Sequence, residues 1–376
     1  MTILQSLLLA VLLSTDKAKA SATPSGVLDP PKYFTKSIRQ TVDNAESYSP
    51  DATAYPLRYP SVDISSWLDT TSSTEEERRE VVHQVLAQAI RAGSFNIIGH
   101  NIPVKLLERL ETSTKKFFSE SIDFKQQFST EDKKAGYKVN QEEKYGATIY
   151  KTDNRYEREG DMREIFSVIY PPDLSYNVQG PAFFQNPLDE YIEKLQPVEI
   201  ALMKIFSAAL NLAKGTDLPS SYFHGADGGA TGSLRALRYP AMPREYDAAN
   251  RLLPHSDFGT LTIIYRTEKG LEEIRDGKWV EVPINKEKGE LHVTVGQMWT
   301  MWSNELFAHN IHRVSKQVAK DRISFAYFLG QGQSAPGEGI APICTGNEVP
   351  RFPPTSTALH LKSYIDAMIS KDSAVE

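Results

Sequence analysis

The sequence predicts an α+β fold, in which a helical amino-terminal layer wraps a carboxy-terminal barrel of β-strands. Two observations lead to this prediction. Apolar residues recur at helical spacing in the segments 72–93, 102–118 and 191–215. From about residue 232 onward, short β-rich runs follow one another with turns between them, which is typical of a sandwich or a jelly-roll barrel. The length of 376 residues fits one large barrel unit.

The amino-terminal part, residues 1–55, is predicted to be a leader followed by a flexible arm. The arm is rich in Ser, Thr, Ala and Pro and shows no sustained periodicity. Residues 3–14 form an apolar run of signal-peptide length, and residues 18–20 have the small–x–small form of a cleavage site. No positive side chain precedes the run, so the sequence leaves open whether residues 1–20 are removed and whether the protein is cytoplasmic or targeted. The run is too short to span a bilayer comfortably, and we predict no membrane span.

Residues 56–230 are predicted to form the layer of helices and strands. The first long helix is predicted to begin at a capping box of Ser73 and Glu76 and to end at Gly93. A short strand and a second helix follow it. The third helix is predicted to bend at Pro197, because proline removes a backbone donor from the helix interior.

Residues 231–376 are predicted to form the barrel core and a closing helix over residues 356–370. The predicted strands are the runs SLRALRYP, LTIIYR, KWVEVP, LHVTVG, QMWTMWS, NIHRV and RISFAYFLG. Neither this part nor residues 56–230 contains an internal repeat or a low-complexity tract. We expect the two parts to form one structural unit.

Composition and charge narrow the choice of partner. The formal net charge is −6 and no basic cluster is visible, which argues against nucleic acid as a ligand. The chain has one cysteine, Cys344, so an internal disulfide is excluded. The chain length and the helices around the barrel suit a small metabolite better than a protein or DNA. We therefore expect a small-molecule substrate and a monomeric chain.

The stretch LLPHSDFGTLTIIYR places His255 and Asp257 two residues apart in a run typical of a buried strand. Alternate residues of a strand point to the same face, so the pair is predicted to share one side of the sheet. Burying an imidazole and a carboxylate is costly unless something satisfies both groups. A bound metal ion would do so, and we predict a metal site here.

A third metal ligand is predicted in the run NIHRV. His312 lies 55 residues after Asp257, and His309 is the alternative, three residues earlier and on the opposite strand face. Two histidines and one carboxylate form a facial triad, which leaves three positions of an octahedral Fe(II) open. A structural zinc site would more often use four closed ligands that include thiolates.

A docking point for an acidic molecule is predicted on the last strand of the barrel. Arg322 and Ser324 stand two residues apart in DRISFAYF and so point the same way. A guanidinium fork together with a hydroxyl is a good receptor for a carboxylate. A buried arginine would otherwise need some other anion.

These residues together resemble the His-x-Asp … His … Arg-x-Ser signature of the iron- and 2-oxoglutarate-dependent dioxygenases of the isopenicillin N synthase-like superfamily. Further segments resemble that family in the same order: GSFNIIGHNIP, DMREIFSV, LRALRYP and GLEEIRDGKWVEVP. The resemblance runs from about residue 58 to about residue 330. It departs from the family at Thr294 and Gln297, where Thr-Val-Gly-Gln replaces the usual Asn-Val-Gly-Asp. The Arg-Val that follows His312 and the ten residues to Arg322 favour His312 over His309 as the third ligand.

The resemblance implies a double-stranded β-helix, or jelly-roll, barrel wrapped by amino-terminal helices and a carboxy-terminal helix. It implies two sets of residues: the Fe(II) ligands His255, Asp257 and His312, and the 2-oxoglutarate contacts Arg322, Ser324 and Tyr239. With O2, such a site would hydroxylate, desaturate or oxidatively cyclise a small-molecule metabolite and release succinate and CO2.

Two alternatives stay open at this point. An oxidase of the same fold that does not use 2-oxoglutarate would also keep the Arg-x-Ser pair, so the pair does not discriminate. A non-catalytic metal or small-molecule binder is the other alternative, although such a protein has no need of vacant metal positions. The substrate and the reaction outcome depend on pocket residues such as those of segment 137–150, and the sequence does not fix them.

Overall fold

The structure, a computed structural model, describes ten segments of the chain: residues 27–49, 51–54, 58–130, 135–139, 161–170, 178–224, 232–241, 250–315, 320–331 and 339–369. The predicted leader and most of the predicted pocket segment 137–150 lie outside these residues. The predicted boundary between residues 230 and 231 lies outside them too. The predictions made there stay predictions.

Strands from all three predicted parts of the chain build two sheets. The strands are β1 (Thr53–Ala54), β2 (Ser61–Asp63), β3 (Ser94–Ile98), β4 (Gly136–Lys138), β5 (Glu164–Tyr170), β6 (Gly232–Tyr239), β7 (Leu252–His255), β8 (Leu261–Arg266), β9 (Leu271–Arg275), β10 (Lys278–Glu281), β11 (Leu291–Val295), β12 (His312–Val314) and β13 (Arg322–Leu329). One sheet has the order β1-β10-β9-β12-β7, and the other has the order β2-β3-β11-β8-β13-β6-β5-β4.

Apolar side chains from the inner faces of the two sheets meet in one buried cluster. Leu237 and Ile264 of the larger sheet and Leu271 and Val314 of the smaller sheet belong to it. Two sheets packed in this way form the jelly-roll barrel that the sequence predicts. The α+β fold class is therefore confirmed.

The register of β13 determines which side chains point into the barrel. Ser324 lies opposite Leu237 of β6 on one side and opposite Arg266 of β8 on the other. Because side chains alternate along a strand, Arg322 and Ser324 face the barrel interior. The intervening residues, such as Phe325, pack in the core beneath the helices.

Helices cover the outer faces of the barrel. They are α1 (Pro30–Tyr48), α2 (Ser65–Leu68), α3 (Glu75–Arg91), α4 (Val104–Ser119), α5 (Ile122–Gln126), α6 (Ala182–Lys214), α7 (Ser221–His224), α8 (Gln297–Trp302) and α9 (Thr357–Ile369). Helix α6 begins nine residues before the predicted start and contains both Pro187 and Pro197. Among the described helices, α6 alone is long and apolar enough to cross a membrane, but 61% of its apolar 18-residue stretch is buried inside the protein. It packs against α3 and α4 as a core helix.

Helix α1 corrects the prediction that residues 1–55 form only a leader and a flexible arm. Asp29 caps this helix by accepting a hydrogen bond from the Lys32 backbone N–H. Its buried face, with Ile38 and Val42, packs with Leu253 in a cluster on the outer face of the smaller sheet. The prediction was wrong because it followed the polar composition of this segment. The few apolar residues of α1 recur at helical spacing, and they form the face that is buried.

Two local predictions also change. The run QMWTMWS, predicted as a strand, contains helix α8, and all six side chains of that helix are buried. A short, fully buried segment carries no periodicity by which a strand and a helix can be distinguished. The capping box of α3 is formed by Thr74 and Glu77, one residue later than predicted. The predicted closing helix is present as α9.

Candidate metal centre

The two predicted histidine ligands face each other across a pair of strands. His255 is the last residue of β7, His312 is the first residue of β12, and the two are direct partners in the antiparallel ladder. Their ring centroids lie 4.3 Å apart. Both side chains are buried inside the barrel, with 4% of each residue exposed. The strand register therefore brings together two residues that are far apart in the sequence.

Asp257 completes the cluster from the turn that follows β7. The prediction placed His255 and Asp257 on one strand, but the strand ends at His255. The turn nevertheless brings Asp257 Oδ1 to 3.8 Å from His255 Nε2, and Asp257 Oδ2 to 4.0 Å from His312 Nε2. One ligand atom from each residue lies within 4.8 Å of the other two. The three side chains are thus close enough for small side-chain rotations to bring them onto one metal ion, at the ligand distances of about 2 Å that such sites use.

The surrounding residues orient the cluster toward a metal ion. Thr262 Oγ1 donates a hydrogen bond to Asp257 Oδ2 at 2.6 Å, and Thr294 Oγ1 lies 3.4 Å from the same oxygen. His255 Nδ1 lies 2.8 Å from the Leu253 carbonyl oxygen, so Nδ1 carries the proton and Nε2 presents its lone pair to a metal. Burial, and then the neighbouring His312, lowers the pKa of His255 to about 3. The imidazole is therefore neutral near pH 7, which is the form that binds metals.

His309, the alternative to His312, is engaged elsewhere. Its Nε2 lies 3.2 Å from Ser37 Oγ of α1, and its ring packs edge-on against Phe34, with centroids 5.0 Å apart. Of the two histidines, the structure brings His312 to His255 and Asp257. His309 instead helps to hold α1 against the barrel.

The predicted carboxylate receptor lies on the same inner face of the barrel. Arg322 is 1% exposed, its Nε donates to the Glu268 carbonyl oxygen at 3.3 Å, and its guanidinium carbon lies 5.0 Å from the centroid of the Tyr239 ring. Its Nη1 has no hydrogen-bond partner among the residues that the structure describes. Ser324, two residues further along β13, is buried as well. A buried guanidinium with an open donor fits a carboxylate ligand.

Gln297 is a residue whose role the sequence did not reveal, although it stood out as a departure from the family pattern. Its Nε2 donates to Ser256 Oγ at 2.8 Å, between the ligands His255 and Asp257. Its Oε1 lies 2.7 Å from His360 Nε2 and 3.1 Å from the Tyr364 hydroxyl of α9. An amide both donates and accepts, whereas an ionised aspartate only accepts. Gln297 therefore links the closing helix to the metal-ligand turn.

Thr262 was also missed. Alternation in LTIIYR does not single it out, because all six residues of the strand are buried and Thr262 shares its face with Ile264 and Arg266. The sequence did not reveal the register that makes Thr262 of β8 and Thr294 of β11 ladder partners, with both hydroxyls near the same Asp257 oxygen.

Comparisons with known proteins agree with this geometry. The 2OG-Fe(II) oxygenase superfamily matches residues 231–331, and the N-terminal family of non-haem dioxygenases in morphine synthesis matches residues 59–187. Together the two matches span more than half of the chain. Gibberellin 2-beta-dioxygenase 8 of Arabidopsis thaliana is 28% identical over 288 residues, which are 75% of this chain and 77% of that protein.

Solved structures share the fold. The dioxygenase for auxin oxidation in rice is 20% identical and superposes with a TM-score of 0.62, covering 83% of this chain and 96% of the rice protein. JOX2 in complex with 2OG, Fe and JA is 19% identical, with a TM-score of 0.63 and 97% of both chains covered. Likeness at this level of identity establishes the common barrel.

Proposed function

We propose a role for each site residue of this chain, which belongs to the iron- and 2-oxoglutarate-dependent dioxygenases of the isopenicillin N synthase-like superfamily. The enzyme oxidises a small-molecule metabolite with Fe(II), 2-oxoglutarate and O2, and it releases succinate and CO2. The roles of individual residues, the substrate and the oligomeric state belong to the proposal.

In this proposal His255, Asp257 and His312 bind Fe(II). One observation carries it: three buried side chains from β7, the following turn and β12 present ligand atoms within 4.8 Å of one another. A bound iron ion would supply the redox chemistry with oxygen. The protein holds the ligands in place, through the Leu253 carbonyl group at His255 and the two threonine hydroxyls at Asp257.

Arg322 and Ser324 hold the distal carboxylate of 2-oxoglutarate, and Tyr239 lies beside them. Tyr239 is the ladder partner of Arg322 and is 1% exposed, so its ring forms a wall of the same pocket. A carboxylate placed there would accept from the open Nη1 donor of Arg322 and from the Ser324 hydroxyl. The buried setting keeps water away and so strengthens both hydrogen bonds.

The experiment that tests the proposed function measures succinate formed from 2-oxoglutarate. Purified protein with Fe(II) is incubated with a panel of amino-acid and terpenoid metabolites, and succinate and oxygen uptake are followed together. We expect succinate release that requires both Fe(II) and 2-oxoglutarate and that disappears in His255→Ala. Oxygen uptake without any need for 2-oxoglutarate would indicate the oxidase alternative. Fe(II) binding without oxygen uptake would indicate a binding protein.

We also propose that the chain acts as a monomer. Each of the proposed ligands and carboxylate contacts comes from the same chain, so the site needs no residue from a second copy. Light scattering at the concentration of the assay tests this, and a dimeric mass would overturn it.

A further inference from the structure

A second buried arginine lies beside the proposed 2-oxoglutarate pocket. Arg251 immediately precedes β7 and is fully buried, at 0% exposure. Its Nε donates to the Ser315 carbonyl oxygen at 3.2 Å, and its Nη1 donates to the carbonyl oxygens of Tyr239 and Pro240 at 3.2 and 3.0 Å. Its Nη2 has no hydrogen-bond partner in the part of the chain that the structure describes. Main-chain oxygens thus fix this guanidinium and leave one donor open.

Arg251 and Arg322 contact the same aromatic ring. Their guanidinium carbons lie 5.5 Å and 5.0 Å from the centroid of the Tyr239 ring. Each keeps a buried donor open, Nη2 in one case and Nη1 in the other. Burial, and then the charge of Arg322, lowers the pKa of Arg251 to about 10. The two positive charges therefore act on each other inside the barrel.

A third guanidinium adds to this positive field. Arg266 is the ladder partner of Ser324, is 4% exposed, and donates to the carbonyl oxygens of Val282 and Pro283. Burial and the charge of Arg322 lower its pKa as well. Like charges held close together in a poorly solvated space repel each other strongly. An anion bound among the three guanidinium groups would reduce their repulsion and would accept hydrogen bonds from the unpaired donors.

We propose that Arg251 is a second co-substrate arginine, whose Nη2 donates to the distal carboxylate of 2-oxoglutarate alongside Arg322. A carboxylate has two oxygens with about four lone-pair sites, so it accepts from two guanidinium groups and a hydroxyl at once. The inference rests on the proposed function, because it takes the carboxylate to lie between Arg322 and Ser324. It goes beyond the Arg-x-Ser pair by assigning a contact from a different strand.

The test compares two ligands that differ only at the distal end. 2-Oxoglutarate and 2-oxopentanoate share the 2-oxo acid group, but 2-oxopentanoate carries a methyl group in place of the distal carboxylate. Binding of each is measured by anaerobic calorimetry on Mn(II)-loaded protein, which needs no turnover. For Arg251→Met we expect the affinity for 2-oxoglutarate to fall about 30-fold and the affinity for 2-oxopentanoate to stay unchanged. If Arg251 had only a structural role, the substitution would weaken the binding of both ligands to a similar extent.

Arg238→Met is the matched control. Arg238 precedes Tyr239 on β6 but already has anionic partners, Glu164 and Asp321, each at 2.7 Å. Its loss is expected to leave the affinity for both ligands unchanged. Arg251→Lys serves as a second variant that keeps the positive charge if the methionine variant does not fold. We expect it to lose affinity for 2-oxoglutarate alone, by a smaller factor.

The outcomes separate this inference from the proposed function. Equal losses for both ligands in the Arg251 variants would overturn the inference, and so would unchanged affinity for 2-oxoglutarate. If the wild-type protein bound neither ligand, the proposed function itself would fail. A loss confined to 2-oxoglutarate supports a direct contact between Arg251 and the distal carboxylate.

Discussion

Two buried arginines in this barrel, Arg275 and Arg322, differ in what surrounds them. Each is 1% exposed. Arg275 donates from Nε to Glu273 at 3.0 Å, from Nη1 to Gln88 at 3.0 Å, and from Nη2 to the Ser94 carbonyl oxygen at 2.7 Å. Arg322 Nη1 has no hydrogen-bond partner among the residues that the structure describes, and its Nε donates to the Glu268 carbonyl oxygen. Arg275 thus meets a carboxylate within the protein, whereas Arg322 keeps a donor for which the described residues offer no acceptor.

The pKa shifts of the two guanidinium groups follow the same difference. Burial would lower the pKa of Arg275, but the Glu273 carboxylate and the Tyr59 side chain together outweigh burial, so the pKa is raised. Burial lowers the pKa of Arg322, and the Tyr239 hydroxyl offsets only part of this effect. The charge of Arg275 is therefore compensated by a carboxylate of the protein. The charge of Arg322 is buried without a carboxylate, and a bound anionic ligand would compensate it.

The largest expected effect lies at the metal cluster. His312 is the ladder partner of both His255 and Glu273, so the cluster adjoins the satisfied network. His255→Ala is expected to reduce 2-oxoglutarate-dependent succinate formation to background, because it removes a metal ligand. The assay is run with Fe(II) in excess. Activity that stayed within tenfold of wild type would contradict the role of His255.

The next prediction concerns the satisfied arginine. Glu273→Gln removes the carboxylate from Arg275 and leaves a buried charge without its anion, so the free energy of unfolding is expected to fall by about 3–5 kcal/mol. Urea denaturation measures this. The control is Glu281→Gln, which breaks the exposed contact with Lys269 and should cost no more than about 1 kcal/mol. Equal effects of the two changes would show that Glu273 and Arg275 are not a structural pair.

Arg322→Met should weaken ligand binding without lowering the free energy of unfolding, in contrast to Glu273→Gln. Affinity for 2-oxoglutarate is expected to fall about 100-fold, because a charge-assisted, forked contact is lost. The free energy of unfolding is expected to stay constant or rise, since an apolar side chain replaces a buried charge that lacks a carboxylate. Anaerobic titration and urea denaturation measure the two quantities. A less stable protein with undiminished affinity would mean that Arg322 is structural.

Near pH 7 the smallest effect is the one that the titration of His360 contributes to stability. Burial lowers the pKa of His360 from 6.5 to about 3, so the unfolded chain binds a proton at a higher pH than the folded chain. Its contribution to stability is complete above pH 6.5 and is lost as the pH falls toward 3, by up to about 1.4 kcal/mol per pH unit. His360→Gln keeps a donor toward Gln297 but does not titrate. Urea denaturation at several pH values should show a shallower slope for this variant, and identical slopes would refute the prediction.

Part of the candidate site could be predicted from the sequence because its geometry follows short-range rules. Alternation along a strand placed Arg322 and Ser324 on one face, and the structure places them there. The structure also brings His255, Asp257 and His312 within reach of one another. Two polar residues in a β-rich run had to be buried together, and that requirement pointed to a ligand before any contact was known.

Other features of the fold and of the site could not be predicted, because they depend on contacts between residues that are far apart in the sequence. Helix α1 lies in a polar segment, and its apolar stripe has meaning only against the outer face of the smaller sheet. Helix α8 is buried on all sides and so lacks a periodic signal. In the sequence, nothing distinguishes Arg251 from any other arginine next to a strand. Its environment becomes visible only in the structure, where it donates to the carbonyl oxygens of Tyr239 at the end of β6 and of Pro240.

In the proposed function His312, and not His309, supplies the second histidine ligand to iron. The most direct measurement is anaerobic titration of Fe(II) and 2-oxoglutarate into His312→Ala and His309→Ala, followed by the visible charge-transfer band of the ternary complex. We predict that His312→Ala gives no band and that His309→Ala gives a band like that of the wild-type protein. A band that survives in His312→Ala and vanishes in His309→Ala would show that His309 is the ligand.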